Sequence, residues 1–204
     1  MSNLLRLQFK AIIKHASLVV VLDLIGVKRI EIERELENRK VSICKLFRFE
    51  YQLFVYLESE DYFAQFYLPA GINQLQLDWP GQVGIRKILR MLDMYHDAVP
   101  RSETVWREAE TTRRSVGSIV YLRPERYCSY VFYHFQLQEE GLRKFNKYYL
   151  IGAHENCLFS YQEIPAVVDT TNHDRVLNTN NSPENWSELM GEYFQAWPEG
   201  LDIE

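Results

Sequence analysis

Apolar and polar positions alternate with a period of two in two closely matched stretches. These are Leu53-Phe54-Val55-Tyr56-Leu57-Glu58 and Leu158-Phe159-Ser160-Tyr161-Gln162-Glu163. Such alternation predicts a strand with one buried face. Each copy lies midway through one half of the chain, and each is followed by an irregular polar stretch and then an amphipathic segment. Matched positions with matched surroundings imply two copies of one unit.

Around the first copy, residues 9–25 carry apolar positions compatible with a helix, although Leu18-Val19-Val20-Val21-Leu22 suits a strand equally well. Gly26 is a natural helix stop. Val27 to Ile32 alternates and predicts a strand, and the charged stretch 33–48 predicts a long hairpin connection or a solvated insertion. Ile85 to Tyr95 places Ile85, Ile88, Leu89 and Leu92 on one side of a predicted helix. Around the second copy, Arg113-Arg114-Ser115-Val116-Gly117 reads as a linker before a strand at 118–122. Residues 125–140 fit strand or helix. Gly152-Ala153-His154-Glu155-Asn156 predicts a hairpin, and Ser182-Pro183 opens a helix from Trp186 to Phe194.

Each half therefore reads β-α-β-β-α with room for a short final strand. The expectation is an α+β chain of two tandem ferredoxin-like half-barrels, residues 1–110 and 111–204, pairing as an intrachain pseudo-dimeric α/β barrel. A length of 204 residues allows two such units.

Composition narrows the partners. A net charge of -5 gives no electrostatic footprint for nucleic acid or an anionic membrane. Cys44, Cys128 and Cys157 are odd in number and lack C-x-x-C spacing, so they read as buried free thiols of an intracellular protein. The run 18–22 is cut by Asp23, too short to span a bilayer, and carries no leader-like flanks. A cytoplasmic protein is the expectation.

Residues 117–197 resemble the L-rhamnose mutarotase family of dimeric α/β barrels. The resemblance rests on Arg123-Pro124-Glu125 opening the first helix, Tyr130 and His134 at the family's Tyr-x-x-x-His spacing, Glu155 to Tyr161 as its Asn-Leu-Leu-Phe strand, Tyr148 near its second-strand tyrosine, and Trp186-Ser187-x-x-Met190 as its Trp-Trp-x-x-Met helix. Ser187 replaces the second tryptophan, and the segment after His134 looks shortened. The first half is fainter: Tyr95 to Pro100 is similar to the end of the family's second helix, and His15 echoes the histidine, with Ala11 at the tyrosine position.

What the resemblance implies is a cofactor-independent sugar mutarotase, with His134 and Tyr130 catalytic and Tyr148 and Trp186 binding a monosaccharide. Mutarotation needs a base for the anomeric hydroxyl and an acid for the ring oxygen, roles that suit histidine. On a helix, positions 130 and 134 are neighbours about 5–6 Å apart at Cβ; on a strand they lie about 13 Å apart. Helix or strand here decides the hypothesis. No metal or cofactor is expected, because neither a spaced ligand set nor a phosphate-cradling loop is present. A small cyclase or monooxygenase of the same fold, and a non-catalytic barrel binding a ligand, a protein or a further copy of itself, are the alternatives. His173-Asp174 lies in a polar loop that could close over a pocket.

Overall fold

The computed structural model describes residues 4–61, 66, 68–81, 84–100, 106–107, 112–141, 145–168 and 177–196. The chain is α+β and divides into two compact units. Residues 1–92 and 99–112 form the first, and residues 93–98 and 113–204 the second.

The first unit runs β1 (Leu5–Ile12), α1 (Leu18–Val27), α2 (Arg29–Asn38), β2 (Val41–Phe49), β3 (Gln52–Ser59), α3 (Ala70–Asn73), a ribbon of β4 (Trp79–Gly81) and β5 (Gly84–Arg86), and β6 (Leu89–Arg90). Its sheet has the order β2-β3-β1-β6, with every paired neighbour antiparallel. Leu7, Phe9, Ala11 and Ile13 alternate onto one face and pack with Val21, Leu36 and Ile72.

The second unit comprises β7 (Leu92–His96), β8 (Arg114–Tyr121), α4 (Tyr127–Glu140), β9 (Leu150–His154), β10 (Cys157–Ile164) and α5 (Trp186–Gly191). Its sheet order is β7-β9-β10-β8. Leu122, Tyr130, Leu137, Ile151, Leu158 and Met190 form its core. Among the described residues neither sheet closes into a barrel.

Several local expectations change. The alternation at 27–32 is helical: Ile32 and Leu36 bury four apart, and Lys28–Glu31, Arg29–Glu33 and Arg39–Glu35 pair at helical spacing. The stretch 33–48 is accordingly the end of α2, a left-handed turn at Lys40 (φ 57°), and β2. The helix expected at 85–95 is three short strands. Leu89 and Met91 bury against β1, while Ile85 and Leu92 are 68% and 66% exposed. Cross-strand pairing overrides the helical spacing of its apolar residues. Residues 5–12 are strand and the valine run is α1, with Val21 its buried member. The second helix is shorter than 186–194, ending at Gly191. Cys128 is exposed and Cys44 half-buried, so of the three thiols only Cys157 is buried.

The first copy of the motif buries both faces, whereas in the second Phe159, Tyr161 and Glu163 bury one face and Ser160 and Gln162 on the other are half-buried. In each, the tyrosine hydroxyl donates to the glutamate two residues on, Tyr56 to Glu58 at 2.6 Å and Tyr161 to Glu163 at 2.5 Å. The correspondence extends through the backbone. Each hairpin turns on a left-handed glutamate, Glu50 (φ 49°) and Glu155 (φ 53°). Ile13 bridges Gln76 as Leu122 bridges Phe194. Lys14 N–H donates to Leu75 as Arg123 does to Tyr193, both at 2.9 Å. Leu77 donates to Ile12 as Gln195 does to Tyr121, both at 2.8 Å. These shared bonds fix residue-by-residue equivalence between the units.

Candidate functional site

Residues 125–140 resolve as helix. Pro124 begins a 3-10 turn at the entrance, where its missing N–H costs nothing. Gly141, left-handed at φ 57°, ends α4 with its N–H donated to Leu137. The segment after His134 continues as helix through Glu140. One helical turn apart, Tyr130 and His134 face the same core.

His134 is 4% exposed and Tyr130 2%. Their rings lie 3.9 Å apart, centre to centre, at 31°. Trp186 of α5 meets the imidazole edge-on at 4.9 Å, and Tyr95 of β7 does so at 5.8 Å. Imidazole Nδ1 lies 3.0 Å from the Tyr130 carbonyl. A carbonyl only accepts, so Nδ1 carries the proton and Nε2 presents its lone pair. Among the described residues neither Nε2 nor the Tyr130 hydroxyl has a hydrogen-bond partner. Burial pushes the imidazole down to about 4, against the smaller opposing effect of the Tyr130 carbonyl. Burial also raises the Tyr130 hydroxyl, so both groups are neutral at pH 7.

Tyr149, rather than Tyr148, belongs to this cluster. It packs against the second unit's core, 6.1 Å from the Tyr95 ring. Tyr148 sits in the turn before β9 with no exposed surface, its ring 5.3 Å from the Arg113 guanidinium and 5.1 Å from the Lys147 amine. No ring contact or hydrogen bond joins it to His134 or Tyr130. Parity along β9 was the available signal, since Tyr149 shares the register of Ile151 and Ala153 in the core. Tyr95 escaped notice because its segment reads as a helix in the first unit.

A clasp positions Trp186. Glu140, at the end of α4, accepts hydrogen bonds from the Asn181 and Ser182 N–H groups, from the Ser182 and Thr179 hydroxyls and from Gln136. Burial works to raise this carboxyl, but those donors hold it down to about 2. The bonds pin the chain four residues before Trp186.

Unit equivalence supplies an internal control. Both first helices begin directly after a 3-10 turn, at Leu18 and Tyr127. Val21 therefore stands at Tyr130 and Ile25 at His134. Counting back from the shared turns Ile72–Leu75 and Met190–Tyr193 puts Leu68 at Trp186. Strand register puts Cys44 at Tyr149. His15 falls instead at Pro124, exposed and bonded to Tyr51, so it does not echo His134.

Among the described residues no group of His, Cys, Asp and Glu is arranged to hold a metal ion, and no helix is long and apolar enough to cross a membrane. His96 pairs with Asp93 at 2.9 Å on β7, and His154 closes β9. His173-Asp174 lies outside the described residues. Comparison with known protein families, curated proteins and solved structures finds no match.

Proposed function

We propose that the second unit binds a monosaccharide at the Tyr130–His134–Trp186 cluster and interconverts its anomers, as the resemblance to L-rhamnose mutarotases implies. The observation that carries this reading is the internal control. Four positions that the first unit fills with Val21, Ile25, Leu68 and Cys44 hold Tyr130, His134, Trp186 and Tyr149 in the second. The same backbone packs with aliphatic residues there, so packing alone does not call for two tyrosines, an imidazole and an indole. Their pairing of flat rings with hydrogen-bonding atoms suits a sugar, whose C–H face stacks and whose hydroxyls bond.

In the proposed reaction His134 Nε2 takes the proton from the anomeric hydroxyl as the bond from C1 to the ring oxygen breaks and C1 becomes a carbonyl. The Tyr130 hydroxyl gives its proton to the ring oxygen as the chain opens, leaving a tyrosinate beside the imidazolium. Reclosure on the other face returns both protons. An imidazole held near 4 is a weaker base than a free one, so proton transfer contributes at the lower end of the usual range of about 10²–10⁴-fold. That same weakness favours the second reading, sugar binding without turnover.

The strand order supports the finer fold reading. The order β2-β3-β1-β6 with helices between β1 and β2 is that of a ferredoxin-like unit. In the second unit the Leu122–Phe194 bridge puts a short last strand beside β8, completing the same arrangement. On this reading the chain is a tandem pair of ferredoxin-like half-barrels, of which the second carries the Tyr130–His134–Trp186 cluster.

The test is ligand-observed NMR with a monosaccharide panel. It compares the native chain with one carrying Tyr130→Val, His134→Ile and Trp186→Leu, the first unit's own residues. Saturation transfer to at least one sugar, lost in the folded triple variant, is expected. Equal signals from both proteins would remove the site.

A further inference from the structure

We propose that the outer edge of β2 in the first unit takes up an extended, acidic peptide strand from a partner protein. The sheet order β2-β3-β1-β6 pairs β2 on one side, and among the described residues no strand lies along its other edge. That edge is nine residues long, Val41–Phe49. Its hairpin fixes which groups point outward. Phe49 and Gln52 flank the two-residue turn Glu50-Tyr51 and pair across it, so Phe49, Phe47 and Lys45 exchange their backbone bonds with β3. Cys44, Leu46 and Arg48 therefore turn their N–H and C=O groups away from β3.

The second unit shows what such an edge holds. There β9 stands in the place of β2, and its hairpin has the same register: His154 pairs with Cys157 as Phe49 does with Gln52. Tyr149, Ile151 and Ala153 are thus the counterparts of Cys44, Leu46 and Arg48. This edge is taken. β7 lies along β9, and Asp97, just past the end of β7, donates its N–H to the Tyr149 carbonyl at 3.2 Å. Under that cover Ile151 and Ala153 are 6% and 1% exposed, whereas Leu46 is 38% exposed. Lys45 and Arg48 are exposed as well.

Charge selects the occupant. β2 carries Lys45 and Arg48 and no acid, in a chain whose net charge is -5. Neither cation has a carboxylate partner among the described residues. Side chains alternate along a strand, so Lys45 lies on one face and Arg48 on the other, and acids on either face of an added strand find a cation. The strand on the equivalent edge has the opposite character: Leu92-Asp93-Met94-Tyr95-His96 runs into Asp97 without a Lys or Arg. A second copy pairing through its own β2 would set these cations against their like, which is how natural edges avoid self-pairing. An acidic strand with interspersed apolar residues instead gains backbone bonds at Cys44, Leu46 and Arg48, covers Leu46 and meets both cations.

Amide hydrogen exchange read residue by residue in the full chain tests this. The probe is a capped peptide with the sequence of residues 92–98, and its control carries Asp93→Lys and Asp97→Lys. The acidic peptide should slow exchange saturably at Cys44, Leu46 and Arg48, and leave Lys45 and Phe47, already bonded to β3, unchanged. The control peptide should bind more than about tenfold more weakly, as should the acidic peptide on a chain carrying Lys45→Glu and Arg48→Glu. The control should regain binding to that variant. No slowing at millimolar peptide, or equal slowing by both peptides, would overturn the proposal. So would protection of the three amides that rises with protein concentration alone, because a second copy would then hold the edge.

Discussion

Replacing His134 by isoleucine, the residue its counterpart Ile25 already supplies, should remove a specific pH dependence from the stability of the second unit. The folded imidazole is held down to about 4 from the ordinary 6.5. Between those values the unfolded chain binds the proton and the folded chain does not. Stability from this group is therefore complete above 6.5 and lost as pH falls toward 4. The full loss is about 3 kcal/mol, from about 2.5 units at 1.36 kcal/mol each, and about 2 kcal/mol of it falls between pH 7 and pH 5. Urea unfolding of both proteins at pH 7, 6 and 5 measures it, with near-ultraviolet signals reporting the aromatic cluster. The variant's stability at pH 7 does not matter, because the difference of differences cancels the packing change and the titration of the other histidines. Equal pH slopes for the native chain and His134→Ile would show that the imidazole is solvated and ordinary, and would refute the geometry given for the site.

Other consequences follow from single contacts. Glu140→Gln should loosen residues 179–182 and shift Trp186 fluorescence while leaving α4 folded; amide exchange at Asn181 and Ser182 reports it. In the native chain the clasp is complete above about 4.5 and is lost as pH falls toward about 2, so the same fluorescence change should appear on acidification. Tyr161→Phe and Tyr56→Phe each remove a buried bond to a glutamate and should each cost about 2 kcal/mol in thermal or urea unfolding; a neutral result at either would show that this hydroxyl is not needed there. Gln76 is fully buried with both side-chain atoms unpartnered among the described residues, where the second unit has Phe194. Gln76→Leu should raise stability by about 1–3 kcal/mol, and a lowered melting temperature would contradict that assignment.

The duplicated Leu-Phe-x-Tyr-x-Glu strand was legible because its signal is local: six residues, period two, written twice. The Tyr130–His134 pair was legible as a spacing, but whether it met on one face depended on α4, which Pro124 and Gly141 delimit in a stretch of β-prone aromatics. Residues 85–95 misled because Ile85, Ile88, Leu89 and Leu92 recur at helical spacing, whereas pairing with β1 needs Leu89 and Met91 inside. The helix at 29–38 was hidden by apparent alternation, and its i,i+3 and i,i+4 ion pairs carried the better signal. Tyr149 and Tyr95 join the cluster through strand parity and sheet order, which the sequence specifies only once the register is known.

The central claim is that the second unit turns over a sugar, and exchange between the α and β anomeric proton signals of L-rhamnose tests it most directly. Saturation of one anomer in the presence of the native protein should attenuate the other, at a rate that rises with protein concentration. His134→Gln, which keeps a polar side chain but removes the base, should return the exchange to its spontaneous rate while the protein stays folded. Exchange that is no faster with the native protein than without it, for L-rhamnose and for a panel of common hexoses, would contradict catalysis by this cluster and leave it as a binding site.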